Sequence, residues 1–261
     1  MFAVSLISQY MSNPGPVHMK FLENILLYLK GVQDMPLRMT RKTLEWLVAT
    51  GWAVLFSDAS LGNRDARRSQ TCWLAFLFGN LVGWNSRYQP AVALSVAESE
   101  FMALSAAGQF ACWFVREINE LGVRKLDGVK IFCDNQSAIH ISHNPLFNKY
   151  TKHIDLRFEW IKQAVQRKII VPLFMRTKDN LSDIGTKALH PQHFIAFTKV
   201  LLGHLRLCLR DESECEQFDE MVIRSAGMQM NAIAFSALCY SRDHHCFIHA
   251  SCYIPDDAPR I

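Results

Sequence analysis

Short apolar runs separated by turn residues are the most regular pattern in this chain, and they predict five β-strands. The strands are expected at residues 52–58, 70–78, 81–87, 129–133 and 169–174. The second and third runs are joined by Gly79 and Asn80, which favour a tight hairpin and therefore an antiparallel pair.

Helical periodicity fills the segments between these runs. Apolar residues three and four positions apart predict a helix at residues 18–30 and a longer one at 96–121, each followed by a glycine. Shorter helices are expected after Asn135, after Thr151, around Leu181 and around Gln192. Three strands followed by alternating helices and strands predict an α/β fold, a mixed sheet flanked by helices.

The same pattern divides the chain into three parts. We expect a helical segment at residues 1–48, one α/β domain at 49–203, and a tail of unknown fold, partly disordered, at 204–261, where the periodicity fades. No apolar run reaches the roughly 20 residues that a membrane-spanning helix needs. The apolar start, residues 1–7, lacks the basic lead-in of a secretory signal. We therefore expect an intracellular protein, cytoplasmic or nuclear, that is not secreted and has no membrane partner.

Charge adds a second expectation. The net charge of +4 hides an asymmetry, because residues 211–220 carry six acids and no base, which leaves about +10 on the rest of the chain. A basic body suits a polyanionic partner such as nucleic acid, although solubility alone also explains it. The eight cysteines contain no Cys-x-x-Cys pair, and the cysteines and histidines of the tail match no familiar zinc spacing.

Four carboxylates carry the main chemical expectation. Asp58 and Asp134 each end a predicted strand, Glu100 lies early in the long helix, and Asp183 lies near the start of a late helix. If the fold brings them to one edge of the sheet, two carboxylates about 4 Å apart repel by roughly 4 kcal/mol at an effective dielectric near 20. Divalent metal ions would explain such a cluster. Taken singly, Asp58 could be a turn residue, and Asp134 or Asp183 could cap a helix.

Glu98 and Glu100 are both candidates for the one glutamate among the four acids. Ser95 and Glu98 match a capping box, in which Ser95 is the N-cap and Glu98 reaches back to its amide. Glu98 and Glu100 lie two positions apart, about 200° around a helix, so they cannot face the same point. Glu98 is therefore assigned to the cap, and Glu100 is the catalytic candidate.

A series of sequence motifs runs through the predicted domain. The motifs are FSDAS at 56–60, DARRS at 65–69, WNSRYQPAVALSVAESEFMALS at 84–105, FCDNQSAI at 132–139, NP at 144–145, TKHIDLRFEWI at 151–161 and DNLSDIGTKAL at 179–189. Together they resemble the ribonuclease H domain of a copia-type retrotransposon Pol polyprotein. Residues 1–48 resemble the segment between the reverse transcriptase and the ribonuclease H of that family, a short C-terminal remnant of the reverse transcriptase region.

This resemblance implies a ribonuclease H-like sheet of three antiparallel strands plus two parallel ones. It also implies that two Mg²⁺ or Mn²⁺ ions, about 3.5–4 Å apart, are bound by four acids, Asp58, Glu100, Asp134 and Asp183. The domain would use these ions to hydrolyse the RNA strand of RNA–DNA hybrids. A reverse transcriptase domain supplied by the parent polyprotein is a further expected partner. No small-molecule cofactor is expected.

Basic residues near the motifs are candidates for contacts with the nucleic-acid backbone. They are Arg67, Arg68, Arg87, Lys149, Lys152, His153 and Arg157. A solvated charged face is the alternative for the last three, because Asp155 and Glu159 lie among them.

Two other functional classes compete with the nuclease. A catalytically silent nucleic-acid-binding or scaffold remnant of a transposon would keep the basic surface, and the absence of any polymerase-like motif keeps this alternative open. An integrase-type transferase has a similar core, but its glutamate comes last in the order of acids, whereas Glu100 is second here.

Overall fold

The computed structural model describes residues 1–39, 52–62, 68–122, 125–143 and 152–203, and it leaves the side chains of 152–158 undescribed. The predicted tail, 204–261, lies outside these residues. The chain divides into two compact units, Met1–Leu6 with Met39–Lys187 and Ile7–Arg38 with Ala188–Ile261. The three-part division made from the sequence stays a prediction.

The first unit is built on one five-stranded sheet. Its strands are β1 (Ala53–Ser60), β2 (Gln70–Leu77), β3 (Asn80–Tyr88), β4 (Val129–Cys133) and β5 (Ile170–Phe174). Their order across the sheet is β3-β2-β1-β4-β5. The pairs β1–β2 and β2–β3 are antiparallel, whereas β1–β4 and β4–β5 are parallel. The predicted mixed sheet of three antiparallel strands plus two parallel ones is confirmed.

The helices also follow the predicted order. They are α1 (Phe2–Ser8), α2 (Pro16–Gly31), α3 (Val96–Glu120), α4 (Gln136–His143), α5 (Lys152–Gln166) and α6 (Pro191–Leu201), with 3-10 helices at Thr177–Asp179 and Leu181–Gly185. The sequence pattern did not predict α1. Within the described ranges, no helix combines the length and the apolarity needed to cross a bilayer.

Helix α3 covers one face of the sheet and forms the main core. Phe101 and Leu104 of α3 are fully buried with Leu55 of β1 and Ile131 of β4. Burying one such side chain stabilises the fold by roughly 1.5–3 kcal/mol. The helix lies close to its neighbours at Gly108, where an added Cβ would come within 3.2 Å of the Ile170 side chain. This packing holds the first turn of α3 beside the central strand β1.

The β2–β3 hairpin turns one residue earlier than predicted. Phe78 and Gly79 form the two-residue loop with φ values of 50° and 72°. A type I′ turn requires positive φ at both central residues, and its twist matches that of the flanking strands. Asn80 is therefore the first residue of β3 rather than part of the turn, and its side-chain amide donates to the Phe78 carbonyl at 3.1 Å.

The second unit is described by its own contacts. The backbone N–H of Arg38 donates to the carbonyl of Leu202 at 2.9 Å. The rings of Tyr28 in α2 and Phe194 in α6 meet edge to face, with centroids 6.3 Å apart. These contacts join α2 and the segment that follows it to α6, the last described helix.

Candidate metal centre

Two aspartates lie at matching positions where the neighbouring parallel strands β1 and β4 cease to pair, Asp58 in β1 and Asp134 directly after β4. The β1–β4 ladder ends at the pair Phe56 and Phe132, whose rings stack with centroids 5.5 Å apart on one face of the sheet. Asp58 and Asp134 lie two residues beyond these phenylalanines, so the alternation of side chains places both carboxylates on that same face. Parallel strands lie about 4.8 Å apart, which brings the two carboxylates together.

Glu100 joins them from the first turns of α3. Its Oε2 accepts a hydrogen bond from the backbone N–H of Ala59 at 3.1 Å. Ala59 lies beyond the end of the β1–β4 ladder, so the glutamate provides the acceptor that a longer β4 would have offered. Asp58, Glu100 and Asp134 each offer a carboxylate oxygen, and these oxygens lie within 4.8 Å of one another. The structure therefore brings together three of the four acids named from the sequence.

Asp58 is not the strand-ending turn residue that the sequence suggested. It lies inside β1, opposite Cys72 of β2, and the antiparallel pairing continues to Ser60. The residue is 3% exposed, and its Oδ2 accepts a hydrogen bond from the Thr186 hydroxyl. The turn alternative is therefore wrong, because Asp58 occupies a buried position in the central strand.

The capping alternatives for the other two aspartates are also wrong. Asn135 caps α4, since its Oδ1 accepts from the N–H of Ala138 at 2.9 Å. Asn180 caps the 3-10 helix Leu181–Gly185, since its Oδ1 accepts from the N–H of Ser182 at 3.3 Å. Asparagines thus satisfy the orphan amides at both helix starts. Neither Asp134 nor Asp183 is used in this way.

The cap of α3 agrees with the prediction in one part and differs in another. Ser95 Oγ accepts from the N–H of Glu98 at 3.1 Å, as expected of the N-cap. Glu98 Oε2 accepts from the N–H of Leu94 at 2.7 Å rather than from that of Ser95. Glu98 therefore has a structural role at the helix start, whereas Glu100 is 4% exposed and turned to the acidic cluster.

Asp183 lies beside Asp58 and Lys187, outside the cluster of three. The residue is 5% exposed, and its Oδ2 forms an ion pair with Lys187 Nζ at 2.9 Å. Its Oδ1 is buried and has no hydrogen-bond partner among the described residues. Burial, followed by the negative charge of Asp58, raises the pKa of Asp183. A buried carboxylate oxygen without a partner, in a residue next to Asp58, is a suitable ligand for a hard divalent cation.

The 3-10 helix that carries Asp183 is held tightly against the sheet. Asn180 Nδ2 donates to the Ser57 carbonyl at 3.0 Å, and Ser86 Oγ donates to the Gly185 carbonyl at 2.6 Å. A Cβ added at Gly185 would overlap Cys72 Sγ and lie 2.8 Å from Cys72 Cβ. The missing side chain at Gly185 therefore allows the close approach that places Asp183 and Thr186 beside Asp58.

Burial and mutual repulsion weaken the acidity of these carboxyls. Burial, followed by the charges of Asp58 and Asp134, raises the pKa of Glu100 to about 9. Burial, followed by the charge of Asp58, raises the pKa of Asp183 to about 7, and burial also raises the pKa of Asp58. A bound divalent ion would reverse this effect, because it favours the ionised carboxylates. The oxygen-only donors and their charge fit Mg²⁺ or Mn²⁺.

These pKa values predict an unusual pH dependence of stability in the presence of a chelator. In the unfolded chain Glu100 ionises near 4.5, and in the folded protein near 9, so the native state binds more protons between these values. Unfolding free energy therefore falls as pH rises through this window. Glu100→Gln has no carboxyl group at this position, so this loss of unfolding free energy is absent. The glutamine amide oxygen can still accept the hydrogen bond from the backbone N–H of Ala59. The difference in melting temperature between Glu100→Gln and the wild type should grow from pH 5 to pH 9. A difference independent of pH would contradict the raised pKa.

The basic residues named from the sequence are only partly described. Arg68 and Arg87 are exposed. Arg87 is paired with Thr71 and lines a pocket of about 60 Å³ with Met102 and Ser105 of α3, on the sheet face opposite Asp58. Outside the described residues or side chains lie Arg67, Lys149, Lys152, His153 and Arg157. Their contacts with nucleic acid stay predictions.

Two residues next to the acids were missed by the sequence interpretation. Thr186 and Lys187 contact Asp58 and Asp183, respectively. The spacing of four between Asp183 and Lys187 was an available signal, because residues four apart on a helical turn are neighbours. Both residues lie within the last motif of the domain, so the motif could have identified them.

Comparison with known proteins finds relatives among the Pol polyproteins of transposons. The chain is 33% identical over 205 residues to the retrovirus-related Pol polyprotein from transposon TNT 1-94 of Nicotiana tabacum. The matched region covers 77% of this chain and 14% of the relative. It is 29% identical over 199 residues to the corresponding polyprotein from transposon RE2 of Arabidopsis thaliana, covering 76% of this chain and 13% of the relative. No family model matches the chain.

Among solved structures, LC11-RNase H1 in complex with an RNA/DNA hybrid has 12% identity and a TM-score of 0.39, covering 51% of this chain and 93% of that one. Because this TM-score is low, the fold is assigned from the strand order, and the relatives are assigned from the sequence. The order β3-β2-β1-β4-β5, with acids where β1 and β4 cease to pair, defines a ribonuclease H-like fold. The chain is similar to retrovirus-related Pol polyproteins from transposons, and it spans about one seventh of the length of the first of these relatives (14%).

Proposed function

We propose that this chain is a metal-dependent endonuclease domain that hydrolyses the RNA strand of RNA–DNA hybrids. The observation that carries the proposal is the convergence of Asp58, Glu100 and Asp134, whose carboxylate oxygens lie within 4.8 Å of one another. Three buried or half-buried acids so close together repel one another when ionised, and either bound protons or a bound cation relieves this repulsion. The homology to Pol polyproteins supports a role in the processing of nucleic acid.

The four acids would hold two divalent ions against the scissile phosphate. When bound, these ions supply an activated water and neutralise charge on the leaving 3′ oxygen. Glu100 is oriented by the Ala59 amide and Asp58 by the Thr186 hydroxyl, so both carboxylates are positioned before substrate arrives. Such preorganisation removes the need to reorient the ligands during the reaction. The RNA strand would be distinguished from DNA by its 2′-hydroxyls.

A catalytically silent nucleic-acid-binding remnant is the second candidate. The chain spans only 14% of the first Pol relative, so most of that polyprotein lies outside the matched segment. Such a remnant would bind hybrids through its basic side chains without cutting them. The two candidates differ in a single measurable property, cleavage under conditions where binding is retained.

The test uses the purified chain and a hybrid with labelled RNA. With Mg²⁺ or Mn²⁺ we expect cuts in the RNA strand that leave 3′-hydroxyl and 5′-phosphate ends. No cuts are expected in duplex DNA, in single-stranded RNA, or in any substrate with excess chelator. Hybrid binding without cleavage over a range of Mg²⁺ and Mn²⁺ concentrations would overturn the nuclease proposal and favour the silent remnant.

A further inference from the structure

The ammonium group of Lys187 lies against the acidic centre at Asp183. Lys187 Nζ lies 2.9 Å from Asp183 Oδ2, and the lysine side chain is 41% exposed whereas that of Asp183 is 7% exposed. Its positive charge also acts on Asp58, Glu100 and Asp134. The ammonium group thus interacts with all four acids named as metal ligands.

Charge balance gives this lysine a second role besides the ion pair. Four carboxylates in a low-dielectric site repel one another, and an ammonium group beside them offsets part of that repulsion. A divalent cation offsets the same repulsion more strongly, but it is itself repelled by the ammonium. We propose that Lys187 is the built-in counter-ion of the acidic centre, stabilising it without divalent ions and lowering its affinity for them.

The placement of Lys187 suits an exchange between ammonium and metal. Asp183 uses Oδ2 for the lysine and keeps Oδ1 free of hydrogen bonds, so the carboxylate can meet a metal ion on one oxygen. The lysine head is partly in solvent at the end of a flexible four-carbon stem. It can therefore move outward when a metal ion takes over the neutralisation of Asp183. This inference rests on the proposed metal centre but does not require that the chain cleave RNA.

The test compares Lys187→Met with the wild type in two measurements at pH 8. Mn²⁺ binding, followed by the loss of the electron paramagnetic resonance signal of free Mn²⁺, should be about tenfold tighter in Lys187→Met. The melting temperature in excess chelator should be about 2–4 °C lower than that of the wild type, since the carboxylates lose their counter-ion. Lys187→Arg keeps the positive charge and should keep both wild-type values.

Lys125→Met is the matched control. Lys125 is exposed and follows α3, whose C-terminal end lies about 30 Å along the helix axis from Glu100. Removing this charge should change neither Mn²⁺ affinity nor stability in chelator.

Each alternative result has a distinct meaning. Unchanged or weaker Mn²⁺ binding by Lys187→Met, or an unchanged melting temperature in chelator, would overturn the counter-ion role. A wild-type chain that binds no Mn²⁺ would overturn the metal centre, and this inference with it. Absence of RNA cleavage with Mn²⁺ binding intact would overturn the proposed function alone.

Discussion

Glu100→Gln is expected to reduce cleavage of the RNA strand at least about 1000-fold. This corresponds to a loss of about 4 kcal/mol of transition-state stabilisation, the scale expected when a metal ligand is removed. Glutamine keeps the shape of the side chain and an oxygen that accepts from the Ala59 amide, so the fold around β1 should persist. The change removes only the negative charge and one metal-binding oxygen. Single-turnover cleavage and hybrid binding should be measured on the same preparation, and binding should be largely retained.

Glu98→Gln is the control two positions away on the same helix. Its carboxylate oxygen accepts from the Leu94 amide at 2.7 Å, a bond that a glutamine oxygen can also accept. Cleavage by Glu98→Gln should stay within about twofold of the wild type, and the stability change should be within about 0.5 kcal/mol. Cleavage by Glu100→Gln at a rate near that of wild type, or loss of cleavage in Glu98→Gln, would show that the two glutamates were assigned the wrong roles.

Gly185→Ala is expected to disturb the site through backbone displacement rather than through lost charge. The new Cβ would overlap Cys72 Sγ and lie 2.8 Å from Cys72 Cβ, so the 3-10 helix Leu181–Gly185 must move away from β2. We expect a loss of about 1–3 kcal/mol of unfolding free energy, as in other overpacked cores. We also expect about a 100-fold loss of cleavage, because a displacement near 1 Å of Asp183 and Thr186 misplaces the reacting groups.

The double variant Gly185→Ala with Cys72→Ala separates this steric explanation from others. Cys72→Ala removes the sulfur that the new methyl group meets. Part of both losses should then be recovered, with a coupling energy above about 0.5 kcal/mol in a double-mutant cycle. Strictly additive effects on stability and cleavage would mean that Gly185 does not act through its contact with Cys72.

Much of the sheet was predictable because each strand carries its own local signal. The apolar run at 129–133 matches β4 residue for residue, since the strand is short and buried and its ends are marked by polar residues. The end of β1 was not predictable in the same way. Ser57 to Ser60 consists of small and polar residues typical of a turn, yet pairing with β2 keeps them in the strand. That pairing depends on the partner strand, which a local pattern does not contain.

The acidic site shows the same division between local and long-range information. Motif order indicated all four acids, but the sequence left open whether Asp134 and Asp183 capped helices. The neighbouring asparagines, Asn135 and Asn180, take both caps, a choice that depends on backbone geometry at each helix start. The contact between Thr186 and Asp58 joins residues far apart in the chain, and only the folded arrangement reveals it.

The claim on which the function depends is that separate acids on β1, α3 and β4 share bound divalent ions. The most direct measurement is anomalous X-ray scattering from crystals of this chain soaked in Mn²⁺. We predict manganese peaks within bonding distance, about 2.0–2.3 Å, of the carboxylates of Asp58, Glu100 and Asp134, with Asp183 contributing beside Asp58. Crystals that take up manganese only elsewhere on the surface, with these carboxylates unliganded at high Mn²⁺, would contradict the account.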